Sequence, residues 1–332
     1  MENKNLDKQN LRQVILDFPK QFKIGLELAK DMKIAGDFRS VVVSGMGGSA
    51  WPVDILKDYL KNSGVEELEI IQNRNYSLPK KAYTNSINFF SSYSGDTEEP
   101  VASLEEAIKN NLPLIVFTYG GKHLELAKKN NLPCIIIPQC VQPRYATGYF
   151  FGAMLQVLIN LGLTKDASSD ILEYSNKLAE NTINLEKKGQ ELAKKLVGQT
   201  PIIYASDRYG AVGMVIKIKI NEDAKTPAFW NVYPELNHNE MVGFTLPQGK
   251  FHVLTFMDKD DNPRIIKRMQ LTAELYKTKG IETDIIEMEG DSLFTKIFSS
   301  LILGDWIAYY LALEYGQDPV LVEMVEDFKK LL

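Results

Sequence analysis

The chain has 332 residues, a formal net charge of −5, and hydrophobic and charged fractions of 45% and 24%. That length supports two domains with separate cores, and the composition is that of a globular protein rather than a disordered or collagen-like one. The acidic balance gives no electrostatic footing for nucleic acid, so an anionic ligand has to be held by a local site. Met1 to Arg12 is polar and lacks the apolar stretch of a signal peptide, which leads us to expect a cytoplasmic protein. Cys134 and Cys140 are the only cysteines. They exclude a disulfide framework and a four-cysteine zinc site, and they read as ordinary buried thiols.

From Asn10 to Gly36, apolar residues at helical spacing (Leu16, Phe18, Phe22, Ile24, Leu26, Leu28) predict an N-terminal helical section. A β/α alternation follows. Val41–Ser44, Leu68–Ile71, Ile87–Phe90, Leu114–Thr118 and Cys134–Ile137 are β-rich runs that recur every ~20–27 residues. Helix-type stretches such as Ala50–Asn62, Pro100–Asn110 and His123–Lys129 lie between them, the pattern of parallel β-α-β units. Leu163–Leu196 reads as a charged helical connector, and a second series then begins. Its predicted strands are Ile202–Ala205, Ala228–Trp230, His252–Met257 and Ile281–Glu287, and its helices Tyr209–Asn221, Pro263–Lys279 and Phe294–Leu313. Tyr145–Thr164 carries no charge, but its three glycines, Gln156 and Asn160 dilute its apolarity. It reads as a buried core or interface helix rather than a membrane span, as does Ser299–Tyr315 with Asp305 inside it. We expect no membrane partner. The expected division is a helical segment at 1–36, a first α/β domain at 37–160, the connector at 161–196, a second α/β domain at 197–315 and a terminal helix at 316–332.

Two turns at strand ends carry the first chemistry. Gly45-Met46-Gly47-Gly48-Ser49 follows the first strand, and Ser91-Ser92-Tyr93-Ser94-Gly95-Asp96-Thr97 follows the third. Hydroxyls and turn N–H groups ahead of a helix can cradle a phosphate without burying a lone cation. The glycine turn alone is also compatible with a dinucleotide or with a tight turn of no function. It lacks the third glycine of the dinucleotide fingerprint and an acidic residue closing the second strand. Arg144, in Pro143-Arg144-Tyr145, follows the fifth strand at the carboxyl edge, where α/β sheets place ligands. Of the three histidines, His123 and His252 read as structural. His238 stands in a turn between Asn237 and Asn239, which are placed to orient its ring. Glu222 ends a long helical run and lies one strand before His238.

Taken together, these motifs resemble the sugar-isomerase (SIS) domain, a flavodoxin-like phosphosugar-binding module. The resemblance implies that Gly47, Gly48, Ser49, Ser92, Ser94 and Thr97 hold phosphate. The chain has Ala50, Asp96 and Pro100 where such domains usually carry Gly, Asn and Thr, and an Asp96 turned away from the phosphate would cap the following helix. The segments Lys219-Ile220-Asn221-Glu222-Asp223-Ala224-Lys225 and Pro234-Glu235-Leu236-Asn237-His238-Asn239-Glu240 add a nearly full-length resemblance to the bifunctional phosphoglucose/phosphomannose isomerases, which have two SIS domains. That resemblance implies Glu222 as catalytic base, His238 and Lys329 as the ring-opening pair, Arg144 as the enediolate-stabilising cation and Val322 as the specificity position. Asp223 stands where Asn is usual, as a carboxylate neighbour that would raise the pKa of the base. The implied function is interconversion of fructose 6-phosphate with glucose 6-phosphate and mannose 6-phosphate, without cofactor or metal, in carbohydrate metabolism. The implied assembly is a homodimer in which the partner contributes the histidine. A non-catalytic phosphosugar-binding or regulatory protein is the alternative, and a nicotinamide-dependent dehydrogenase a third reading.

Overall fold

Both β/α series fold into parallel sheets in the computed structural model, which describes residues 6–65 and 67–331. Residues 1–5 and 332, counted above in the terminal segments, lie outside the described residues. The elements in chain order are α1 (Leu11–Asp17), α2 (Lys20–Ala29), β1 (Ser40–Gly45), α3 (Trp51–Asn62), β2 (Glu69–Asn73), β3 (Ser86–Ser92), α4 (Glu98–Lys109), β4 (Leu114–Thr118), α5 (Gly121–Lys129), β5 (Cys134–Ile136), α6 (Thr147–Asn160) and α7 (Ser168–Leu196). Then come β6 (Thr200–Ser206), α8 (Gly210–Ala224), β7 (Phe229–Tyr233), α9 (Glu240–Gly243), β8 (Phe251–Met257), α10 (Pro263–Lys277), β9 (Glu282–Glu287), α11 (Leu293–Glu314) and α12 (Glu323–Lys329). Every predicted strand is present, with ends shifted by a residue or a few. The predicted N-terminal helix is broken at Phe18–Pro19 into α1 and α2, since a residue before proline is steered away from the helical region.

The chain divides into two compact units inside α7. The N-terminal unit is Asp17–Ala179, and the C-terminal unit is the rest of the described chain, before Asp17 and after Ala179. In the N-terminal unit the strand order is β2-β1-β3-β4-β5, all parallel, with Val43 opposite Phe89 and Phe89 opposite Ile115. This flavodoxin-like order reverses direction between β1 and β3, leaving a crevice beyond their carboxyl ends. One face of the sheet packs Val42, Phe90 and Val116 onto Leu104, Ala107 and Ala127 of α4 and α5. The uncharged α6 is buried within this unit, where Gly25 of α2 approaches it so closely that a Cβ would stand 2.5 Å from the Tyr149 carbonyl oxygen. Its apolarity, read above as compatible with a subunit interface, is accounted for by contacts inside the chain. Cys134 and Cys140 are half-buried rather than fully buried.

The C-terminal unit repeats the plan with four parallel strands in the order β7-β6-β8-β9. Its reversal lies between β6 and β8, and Tyr204, Tyr233, Val253 and Met269 form part of its core. The apolar helix α11 is long enough to cross a membrane, but 89% of its apolar window is buried inside the protein. It packs on α8, and within that contact Lys219 and Asp305 form a buried ion pair at 2.6 Å.

Candidate active site

The two predicted cradle turns meet in the N-terminal unit. Gly47 adopts φ +50°, a left-handed conformation that frees the turn to fold back from β1. Ser49 is buried; its Oγ accepts from the Tyr93 N–H at 2.8 Å, and its carbonyl accepts from Ser91 Oγ at 2.7 Å. Ser92 Oγ accepts from the Gly95 N–H at 3.1 Å and lies 3.3 Å from Thr97 Oγ1. Ser94 is exposed and Thr97 half-buried, just ahead of α4, whose N-terminus has no side-chain cap. Gly48 completes the group, because a Cβ there would stand 2.7 Å from the Arg144 backbone N. The absence of that Cβ lets the Pro143–Tyr145 turn lie against the glycine turn. Arg144 is buried, with its guanidinium 5.5 Å from the centre of the Tyr145 ring. The structure therefore gathers Gly47, Gly48, Ser49, Ser92, Ser94, Thr97 and the Arg144 turn into one region.

The departures in these motifs are accommodated locally. Asp96 turns away from the serines, as expected, but it caps α5 rather than the helix that follows it, accepting the Lys122 N–H at 2.8 Å. The space is made by Gly121, where a Cβ would lie 2.6 Å from Asp96 Oδ1. Pro100 falls in the first turn of α4, where the missing N–H deprives no carbonyl of a partner. His123 is buried with Nδ1 2.8 Å from the Gly95 carbonyl, and burial lowers its pKa. His252 is also buried, with Nε2 2.8 Å from Asp284 Oδ2.

In the C-terminal unit, Glu222 lies at the end of α8 in the wall of a cavity of about 570 Å³. The opposing residues come from the connection between α11 and α12 and from the start of α12, and include Asp318, Leu321 and Val322. Glu222 and Val322 thus share one cavity. Asp223, the carboxylate expected beside the base, is fully buried, while Glu222 remains half-exposed. Lys329 does not line the cavity; it is exposed at the far end of α12 and pairs with Glu326 at 2.8 Å.

His238 is exposed and is likewise absent from the cavity lining. Its flanking asparagines do not serve the ring as expected. Asn237 donates to Thr272 Oγ1 at 2.8 Å, and Asn239 donates to Glu235 Oε1 at 2.6 Å while accepting the Glu240 N–H. Both amides anchor the turn instead. Glu240 anchors it further, taking Tyr204 OH and Asn231 Nδ2, each at 2.5 Å.

Two features were not singled out from the sequence. Lys225 lines the Glu222 cavity and donates from Nζ to the carbonyls of Asp223 and Asp318. Its signal was a lysine at the position after a helix, where glycine is usual. The second is at the strand-order reversal between β6 and β8, the counterpart of the first crevice. There the carboxylate of Asp258, 1% exposed, accepts from Tyr209 OH at 2.6 Å and from Lys296 Nζ at 2.6 Å, with Arg208 at 3.8 Å. Its neighbour Asp260 also pairs with Lys296, at 2.5 Å.

Residues 185–332 match the family described as bacterial phospho-glucose isomerase C-terminal SIS domain. A bifunctional phosphoglucose/phosphomannose isomerase of Aquifex aeolicus is 30% identical, with 98% of both chains covered. Another so named, from Caldicellulosiruptor bescii, is 33% identical over 96% of this chain and 97% of the relative. Among solved structures, the tagatose-6-phosphate ketose/aldose isomerase of Escherichia coli shares the fold at a TM-score of 0.67 and 14% identity, covering 93% of each chain.

Proposed function

From the premise that this chain belongs to the bifunctional phosphoglucose/phosphomannose isomerase family, we propose that it interconverts fructose 6-phosphate with glucose 6-phosphate and mannose 6-phosphate. It is an aldose–ketose isomerase acting on sugar phosphates. The observation that carries the finer reading is that Glu222 and Val322, a carboxylate and a small apolar side chain, line one cavity.

In this reading the serine and glycine turns hold the phosphate. With the sugar ring opened, the Glu222 carboxylate takes the proton from C2 of the aldose, and the former carbonyl oxygen at C1 becomes an enediolate oxygen. The same carboxyl returns that proton to C1 while the C2 hydroxyl proton passes to the C1 oxygen, so C2 becomes the ketone, C1 becomes a CH2OH group, and atoms balance within the substrate. A base that shuttles one proton in this way contributes about 10²- to 10⁴-fold in rate. A fixed cation met by the developing oxyanion contributes as well, and Arg144 is assigned that role. The C2 epimer formed depends on which face of C2 meets the carboxylate, so the room left beside Val322 admits both aldoses.

His238 and Lys329 are assigned to ring opening, with His238 supplied by a second copy in a homodimer. Support comes from the exposure of His238 and from its absence from the cavity that Glu222 lines in its own chain. The test is incubation of the protein with fructose 6-phosphate in deuterated water, followed by proton NMR beside a Glu222→Gln control. Glucose 6-phosphate and mannose 6-phosphate deuterated at C2, both lost in the control, is the expected result. Unchanged, unlabelled fructose 6-phosphate would move the assignment to a phosphosugar-binding protein.

A further inference from the structure

Among the described residues, the non-glycine positions with positive φ are Asn10, Asn85, Asn111, Asn131 and Lys225. Asparagine tolerates the left-handed region because its short amide bonds locally; lysine has no such compensation. Lys225, at φ +54°, occupies the residue after α8, where glycine would adopt the same backbone without strain. A strained lysine in place of glycine points to work done by its side chain.

Two of its bonds show that work. Nζ donates to the Asp223 carbonyl at 2.9 Å, satisfying a carbonyl at the end of its own helix. It also donates to the Asp318 carbonyl at 2.5 Å, reaching across to the connection between α11 and α12. The same connection is also anchored by Val320, which is fully buried and whose N–H donates to Asp318 Oδ1 at 2.9 Å. Two residues later comes Val322. The ammonium therefore joins the wall that carries Glu222 to the wall that carries Val322, and Lys225 itself lines the cavity between them.

We propose that Lys225 is a positioning residue that holds the Asp318–Val322 segment in register with Glu222, and thereby sets the balance between the two aldose 6-phosphates. The proposal rests on the functional reading above and deepens it. A carbonyl acceptor cannot be removed by changing the Asp318 side chain, so the clamp is tested at the lysine. Misplacing a reacting group by about an ångström can cost on the order of 100-fold in rate, which bounds the effect.

The experiment compares wild type with Lys225→Gly and Lys225→Arg. Kinetics on glucose 6-phosphate and mannose 6-phosphate separately, thermal midpoint and limited proteolysis after Gly316 are measured for each. Glycine accepts the left-handed backbone, so the Lys225→Gly protein is expected to fold with a midpoint no lower than wild type. It should nevertheless lose about 10- to 100-fold in kcat/KM, shift the ratio between the aldoses and be cut faster after Gly316. The arginine variant should recover part of the rate and of the protection. A Lys225→Gly protein with wild-type kcat/KM, aldose ratio and protease resistance would overturn the proposal, as would a loss that arginine does not rescue. If wild type turns over neither aldose, the functional reading falls, and the proteolysis comparison then decides the clamp by itself.

Discussion

Asp258 shows how much a single side chain can hold. Burial alone would raise its pKa, yet hydrogen bonds from Lys296 and Tyr209 outweigh burial and leave it below the usual carboxylate range. Burial would lower the pKa of Lys296, and the bonds to Asp258 and Asp260 leave it raised. The stability linked to Asp258 is therefore complete above the unfolded carboxylate value, near pH 4, and lost as pH falls through the depressed folded value. The part linked to Lys296 is complete below about pH 10 and lost as pH rises through its raised value. We expect Asp258→Asn to destabilise the protein by about 3 kcal/mol, the lower end for a broken buried pair, because Asp260 still holds the ammonium. Urea unfolding from pH 3 to pH 8 checks this: the difference from wild type should be flat above pH 5 and shrink below pH 4. Residue types in the candidate site were legible in the sequence because the chemistry restricts them, as with the serines of the second turn and Glu222. The directions of Asn237 and Asn239 were not, since their partners include Thr272, which is remote in sequence and arrives only with the fold.

At the scale of elements, strands were legible where β-branched and aromatic residues run between turn formers. β4 is bounded by Pro113 and by Gly120-Gly121, and its observed ends are the predicted ones. β7 was read short because the strand-disfavouring Asn231 interrupts the apolar signal after Phe229 and Trp230 in this edge strand. The contact of α2 with α6 was invisible, since helical periodicity gives a face and not its partner. That contact makes its own prediction. In Gly25→Ala the new Cβ would face the Tyr149 carbonyl oxygen at 2.5 Å and the Ala153 N at 3.1 Å, both backbone atoms that cannot rotate away. A loss of about 1–3 kcal/mol is expected by chemical denaturation. Ile24→Ala, at an exposed neighbouring position, should stay within about 0.5 kcal/mol.

Two β/α series predicted two sheets, and the whole molecule has them, with the same parallel plan in each unit. Assembly is the level the sequence described least, because a subunit interface has no periodicity of its own. If a homodimer shares its sites as proposed, a Glu222→Gln chain and a His238→Ala chain carry their lesions on different halves of each site. Each variant alone should be inactive. After mixing and exchange, half of the dimers are mixed and each has one intact site, so about a quarter of wild-type activity should return. Activity that stays at the level of the separate variants would place Glu222 and His238 of one chain in the same site.

The crevice between β6 and β8 already contains a carboxylate, fixed there by Tyr209 and Lys296. In terms of mass action, Asp258 is an anion covalently attached to the cation that holds it. Its effective concentration beside Lys296 does not fall on dilution, so the ammonium keeps its partner at any protein concentration. The two units thus repeat one sheet plan, but the second fills the position after β8 with a buried carboxylate tethered to its own chain.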